Sequence, residues 1–322
     1  MSEERFLVTG ASGCIGVWVL RNLVRMGVPV AAFDLDTNHH RLPLVLGDNE
    51  IASIQFLQGD ISDYPTVENA LKESRATRVI HLAALQLPFC KADPVAGARV
   101  NVVGTVNLFE AARRLGLKGL VYASATAVYG TSEEYADEPL AQDAPLRPHS
   151  HYGVYKQANE GTARVYFRDD GIQSIGLRPY VVYGIGRDQG MTSTPTKAIL
   201  AAAAGKPYHI SYGGRYCFQY ADDTARTFIQ AARADFQGAE IYNLGGDSVR
   251  TEDVIVAIER AEPSARKRIT FDDIPLPFPP EVDNSALTDA IGPVHFTSLF
   301  DGVAETLALF QRALLDGKIL AE

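Results

Sequence analysis

The chain has 322 residues, 46% of them hydrophobic and 21% charged, which is the make-up of a globular protein with a large core in one domain or a closely joined pair. Its formal net charge of −9 argues against a nucleic-acid partner, which would need a basic face to neutralise phosphates. Cys14, Cys90 and Cys217 are too few and too scattered for a disulfide framework or a zinc site, His39-His40 reads as a solvated loop and not a metal site, and no apolar run reaches transmembrane length. Met1 leads into a strand-like segment with no signal-peptide pattern, so a cytoplasmic protein without a metal or a membrane partner is expected.

In chain order, Phe6–Thr9 reads as a strand, residues 13–26 as a helix and Val28–Phe33 as a second strand. Ile54–Leu57 is a strand before a helix over Tyr64–Ser74, and Arg78–Leu82 is a buried strand before a long helix over Pro94–Leu115. Leu120–Ser124 is a strand, His151–Asp170 a helix and Ser174–Leu177 a strand. Beyond Gly184 glycines, prolines and short segments dominate, with one more core strand at Ile241–Leu244 and a closing helix over Leu299–Leu315. Repeated strand–helix alternation predicts an α/β fold, a doubly wound (Rossmann) parallel sheet with right-handed crossovers. Residues 1–183, rejoined by 224–260, are expected to form the sheet domain, and 184–223 with 261–322 a smaller C-terminal substrate-binding lobe over the carboxyl edge of the sheet, where open α/β folds bind ligands.

Gly10, Ser12, Gly13, Cys14, Ile15 and Gly16 follow the first strand and open the first helix. Glycines there allow a tight turn and a close approach of backbone to a pyrophosphate, whose charge the helix N-terminus stabilises; alone, such a triplet is as often an empty turn. Asp34 ends the second strand at about the interval where a carboxylate receives the adenosine ribose hydroxyls and repels a 2′-phosphate, so NAD is expected over NADP. Asp36 is the alternative ribose ligand, and Arg41 is close enough in sequence to serve a 2′-phosphate.

Tyr152 and Lys156 stand one turn apart on one helix face, where an ammonium can stabilise a phenolate; alone, this spacing is usually a surface pair. Further blocks occur in order: Gly59-Asp60-Ile61, His81-Leu82-Ala83-Ala84, Asn101–Thr105, Tyr122–Gly130, Tyr152–Lys156 with Glu160, Leu177-Arg178-Pro179, Val182-Tyr183-Gly184 and Tyr220–Asp223. Together with the glycine loop they cover most of the chain, and the sequence resembles the extended short-chain dehydrogenase/reductase superfamily, epimerase/dehydratase branch. The resemblance implies that Asp60 and Ile61 meet adenine, that Ala83 and Ala84 line the pyrophosphate and nicotinamide-ribose side, and that Leu82, Ala123 and Pro179 belong to the cofactor wall. It also implies that Asn101 orders the active-site helix, that Lys156 binds the nicotinamide ribose and tunes Tyr152, and that Tyr152 is the general base for a substrate hydroxyl.

The chain departs from the family pattern at three places. Ala125 stands where a Ser or Thr usually binds the substrate oxygen, which leaves Ser124 or Thr126 to supply that hydroxyl, although strand alternation points both away from the face of Ala125. Val181 replaces a usual Asn, and Tyr216-Cys217 replace the usual Arg-Asp ahead of Phe218–Asp223, so the donors that hold a diphosphate are missing. The expected function is therefore NAD-dependent oxidation of a hydroxyl on a small polar substrate (a sugar, sugar acid or hydroxy acid), with a sugar or nucleotide-sugar epimerase or dehydratase that retains NAD as the alternative. Gln86, Met191, Thr192, Ser193, Arg215 and Gln219 are expected to face the substrate, Arg215 as the holder of a carboxylate. The helices near 98–115 and 152–168 match the pair that many superfamily members bury in a homodimer.

Overall fold

The computed structural model describes residues 4–36, 38–136 and 138–320. Its apolar β-runs become strands β1 (Phe6–Thr9), β2 (Val30–Asp34), β3 (Gln55–Gln58), β4 (Arg78–His81), β5 (Gly119–Ala123), β6 (Gln173–Arg178), β7 (Val181–Tyr183), β8 (Tyr208–Ile210), β9 (Arg215–Tyr220), β10 (Ala239–Asn243), β11 (Asp247–Arg250) and β12 (Ile269–Phe271). Seven of them form a parallel sheet in the order β10-β6-β5-β4-β1-β2-β3, with β4 central and β1 beside it, in register from Phe6 opposite both Val30 and Arg78. The reversal of order at β1 makes the sheet doubly wound and opens a crevice at its carboxyl edge.

Both faces of the inner strands are buried, so these read as largely apolar runs, while the edge strand β3 is mostly exposed. Phe6, Val8, Ile80, Val121 and Ile175 pack into one core, while Leu7, Val79, Leu120 and Tyr122 pack into the other. The first core is closed by helix α1 (Cys14–Arg25), which buries Trp18, Leu20 and Leu23. The second is closed by α2 (Tyr64–Ser74), α3 (Gly104–Arg114) and α4 (His151–Asp170) through Leu71, Phe109 and Ala163. Helix α5 (Ala221–Arg233) lies beside α1, where Asn22 Nδ2 donates to Asp222 Oδ1 at 2.7 Å, and α6 (Leu299–Leu315) closes the chain.

Two differences from the expected elements have local causes. The long helix over 94–115 is interrupted by a π turn at Arg99–Val103, which turns Asn101 inward. The small C-terminal sheet has the order β11-β9-β7: β7 pairs with β9, not with its neighbour β6.

Helix α4 carries Tyr152 and Lys156, and its placement is tightly specified. Ser150 caps its start by accepting from Gly153 N at 3.1 Å, and Gly171 ends it in the left-handed region at φ 71°. Two turns in, fully buried Glu160 receives Arg178 from the end of β6 as a fork, Nε to Oε1 at 2.8 Å and Nη2 to Oε2 at 2.7 Å. Ser124 Oγ also donates to Glu160 Oε1 at 2.6 Å. Arg178 continues to the Tyr129 hydroxyl and to Gln142 O, and Tyr129 donates to Asn243 Oδ1 at 2.7 Å. Glu160→Gln leaves the Arg178 charge buried without its counter-charge, so the variant is expected to lose about 3–5 kcal/mol of stability in urea unfolding; an unchanged midpoint would show that the pair does not hold the fold together.

Candidate active site

The carboxyl ends of β1, β2, β4, β5 and β6 open into one cleft lined by the glycine loop, Asp34, Asp60 and Ile61, Leu82 to Phe89, Ala123 to Ala127, Tyr152, Lys156, Pro179 and the stretch from Gly186 to Thr192. Gly10 is required at the first turn: its φ is 66°, and a Cβ there would lie 2.5 Å from Ala83 N. A Cβ on Gly16 would lie 2.4 Å from Gly10 O. Gly13 caps α1 with no side-chain acceptor and no acid follows in the first turn, so the helix's leading N–H groups and the positive end of its dipole face the cleft uncancelled. That backbone fits the pyrophosphate of NAD.

Asp34 reaches back to this loop. Its Oδ2 accepts from Ser12 N at 2.8 Å and its Oδ1 from Asp36 N at 3.2 Å, while Asp36 itself binds Asn38 N at 2.7 Å. The guanidinium of Arg41 is held by Asp188, at 3.0 Å through Nε and 2.7 Å through Nη2, and by Ser12 O at 2.9 Å. A cation so paired is poorly placed to take a 2′-phosphate, and the Asp34 carboxylate repels one. His39 caps Ser12 Oγ at 3.1 Å and stacks on Phe56, and His40 lies 3.4 Å from Asp188.

At the other end of the cleft, Lys156 Nζ donates to Ala123 O at 2.6 Å and lies 5.6 Å from the centre of the Tyr152 ring. No described residue hydrogen-bonds the Tyr152 hydroxyl. Desolvation pushes the Tyr152 phenol up to about 12, against an opposing pull from the Arg187 charge, and brings the Lys156 ammonium down to about 8. The amine alone therefore does not activate the phenol, and a positive group bound beside it is needed. His81, enclosed by Thr9 Oγ1 at 2.6 Å and Thr105 Oγ1 at 3.1 Å, is driven down to about 3 by burial and by Lys156, so it stays neutral and serves as a strut between β1, β4 and α3.

Several expected site residues take other posts. Ser124 lines the cleft, but its single proton goes to Glu160, so it cannot donate to a substrate oxygen. Thr126 also lines the cleft and has a weaker tie, a 3.4 Å bond to Pro179 O, which leaves it the available hydroxyl beside Ala125. Asn101 stands behind the wall: its Oδ1 accepts from Leu85 N at 2.7 Å and its Nδ2 donates to Leu85 O at 2.9 Å, which ties the π turn to the 82–86 loop. Gln219 is buried, accepting from Tyr180 N at 2.8 Å and donating to Leu244 O and Gly245 O. Ser193 is buried and turned onto Gly190 O at 2.8 Å. Arg215 points away from the cleft into an ion pair with Glu138 and Glu281. Gln86, Met191 and Thr192 do line the cleft. So does Arg187, which sequence reasoning passed over inside an irregular stretch; an Arg-Asp pair straight after the turn glycines Gly184 and Gly186 was the available signal.

Residues 6–245 match the NAD dependent epimerase/dehydratase family. The UDP-glucose 4-epimerase of Mycolicibacterium smegmatis is 29% identical over 322 aligned residues, 95% of this chain and 98% of that protein. The crystal structure of Thermus thermophilus UDP-glucose 4-epimerase in complex with NAD superposes with a TM-score of 0.81 at 27% identity, covering 96% of this chain and 99% of that one. L-threonine dehydrogenase from Clostridium difficile shares the fold, with a TM-score of 0.84 at 20% identity over 97% of this chain and 99% of that one.

Asp34→Ala is expected to weaken NAD binding roughly 10- to 100-fold, the loss of a charge-assisted hydrogen bond worth about 1.5–3 kcal/mol, and to narrow the preference over NADP. Titration of both dinucleotides checks this, and a parent protein that binds NADP as tightly as NAD would remove Asp34 from the argument.

Proposed function

The chain belongs to the NAD-dependent epimerase/dehydratase family, the extended short-chain dehydrogenase type, and from that premise we propose that it is a dehydrogenase oxidising a hydroxyl of a small polar substrate: a sugar, sugar acid or hydroxy acid. The observation that carries this reading is Tyr152, which lines the cleft one helical turn from Lys156 with its hydroxyl bonded to no described residue. Bound NAD supplies a hydride acceptor and a positive ring. The residues that would hold it are the 10–16 loop, Asp34, Asp60, Ile61, the 82–84 segment, Ala123, Lys156 and Pro179.

Tyr152 as phenolate removes the substrate hydroxyl proton; the O–H electron pair becomes the C=O π bond as the carbinol carbon gives up its hydride. In reverse, the phenol returns that proton. Thr126 donates to the same substrate oxygen, the post that Ser124 cannot fill. A small substrate fits better than a diphosphate because Val181 is buried in β7 with no donor to offer and Arg215 is spent on two carboxylates outside the cleft. The full-length likeness to UDP-glucose 4-epimerases supports a second reading, in which the hydride is returned to the substrate. NADH accumulating on mixing with NAD and substrate supports the first reading; tightly held NAD in freshly purified protein without net NADH supports the second.

Assembly and location follow the same reasoning. Helix α4 presents Val154 (47% exposed), Ala158, Gly161 and Val165 (46%) along one face, beside Val95 (70%) and Val103 (44%) on the interrupted helix. An apolar stripe of this kind suits burial against a second copy, so the protein is read as a homodimer. Among the described residues no helix is long and apolar enough to cross a membrane, and three free thiols suit a reducing cytoplasm. Val154→Glu with Val165→Glu should shift the mass in light scattering from dimer to monomer; a monomeric parent at micromolar concentration would end the dimer reading.

Tyr152→Phe is expected to fold, to retain NAD affinity and to lose roughly 10²–10⁴-fold in kcat. The oxidation rate of the parent should rise with pH through one ionisation below the value of about 12 set by burial, because the bound positive ring favours the phenolate. An active but less stable Tyr152→Phe enzyme, with an unshifted pH profile, would overturn the mechanism and leave the fold intact.

A further inference from the structure

Three cationic side chains line the cleft among the described residues, and they differ in what satisfies them. Lys156 has Ala123 O, and Arg41 has the Asp188 carboxylate. Arg187 has no carboxylate within 4.0 Å among the described residues; it donates through Nη2 to Thr192 Oγ1 at 3.0 Å, and its Nε is buried without a partner. An unmet guanidinium N–H out of water is costly and calls for an acceptor, preferably an anion.

A second unmet atom lies beside it. Gln86 Oε1 is buried without a partner and also belongs to the cleft wall. The two converge at Gly190, where a Cβ would lie 2.0 Å from Gln86 Oε1 and 3.2 Å from Arg187 Nη2. The absence of a side chain on Gly190, at φ 95°, is what leaves room for the Gln86 amide beside Arg187. The charge of Arg187 is felt both at the Tyr152 phenol and at the Cys14 thiol of the glycine loop, and all three residues line the one cleft. One end of this pair is a cationic donor and the other an acceptor, and the cleft they line also holds Tyr152.

Resting on the dehydrogenase reading above, we propose that Arg187 and Gln86 are the substrate-recognition pair of this cleft: Arg187 donates to a carboxylate of the substrate, Gln86 Oε1 accepts from a hydroxyl of the same molecule, and the substrate is a polyhydroxy acid of the aldonic or uronic class. A single guanidinium beside an acceptor oxygen matches one carboxylate flanked by hydroxyls. It matches a diphosphate less well, since the charged oxygens of two phosphates would share the one cleft guanidinium, among the described residues, not already held by a carboxylate. The Arg41–Asp188 ion pair fixes the neighbouring residue, so Arg187 is held in place before substrate arrives.

The test compares aldonic and uronic acids with their methyl esters as substrates of the parent enzyme, Arg187→Met and Arg187→Lys, with NAD affinity measured alongside by titration. The parent should prefer the acid. Arg187→Met should lower the acid-to-ester ratio of kcat/KM roughly 10- to 100-fold, chiefly through KM, the loss expected for one charge-assisted hydrogen bond. Arg187→Lys should restore part of that ratio, and NAD affinity should hold in both variants, which also reports that they fold. A ratio that does not move, a parent that prefers the ester or a UDP-sugar, or NAD affinity that falls by the same factor (placing Arg187 on the cofactor pyrophosphate) overturns the proposal. Calorimetry of acid binding to the enzyme–NAD complex separates this from the dehydrogenase reading: Arg187-dependent binding without NADH would sink the oxidation and keep the recognition pair, whereas NADH formation without Arg187-dependent binding would do the reverse.

Discussion

The fork between Glu160 and Arg178 is the constraint on which the site depends. Both side chains are buried, and neither charge could stay there alone. Every strong donor and acceptor around them is used: Ser124 on Glu160, then Tyr129 and the Gln142 carbonyl on Arg178, then Asn243 behind Tyr129. The network ties α4 to the ends of β5, β6 and β10 at once, and it sits two turns from Tyr152. Against an apolar core of equal volume it need contribute little net stability. Its contribution is specificity, since α4 has one rotation and one height at which both charges are met.

The fixed helix delivers Tyr152 and Lys156 to a cleft whose charge changes along its length. Asp34 makes the β2 end acidic, the uncapped start of α1 makes the next section electropositive, and Lys156 and Arg187 add cationic side chains to the wall. A protein of formal net charge −9 therefore keeps three cationic side chains, Arg41, Lys156 and Arg187, on the wall of this cleft. The opposite shifts of Tyr152 and Lys156 come from the same desolvation, which disfavours the charged form of each.

The sequence by itself determined what depends on local periodicity and backbone geometry. Strand and helix alternation specified the parallel sheet, positive-φ glycine chemistry the turn at Gly10, and the four-residue spacing the shared face of Tyr152 and Lys156. Only the tertiary structure decided which polar side chains were left free. Ser124 was lost to Glu160 36 residues away, Gln219 to carbonyls at 244 and 245, and Arg215 to Glu281 66 residues on. Arg187 stands out for the converse reason, that among the described residues no carboxylate folded against it. A hydroxyl or a guanidinium looks the same in sequence whether its partner is a substrate or another part of the chain. Which it is depends on distant residues that only the folded sheet and its loops bring within hydrogen-bond reach.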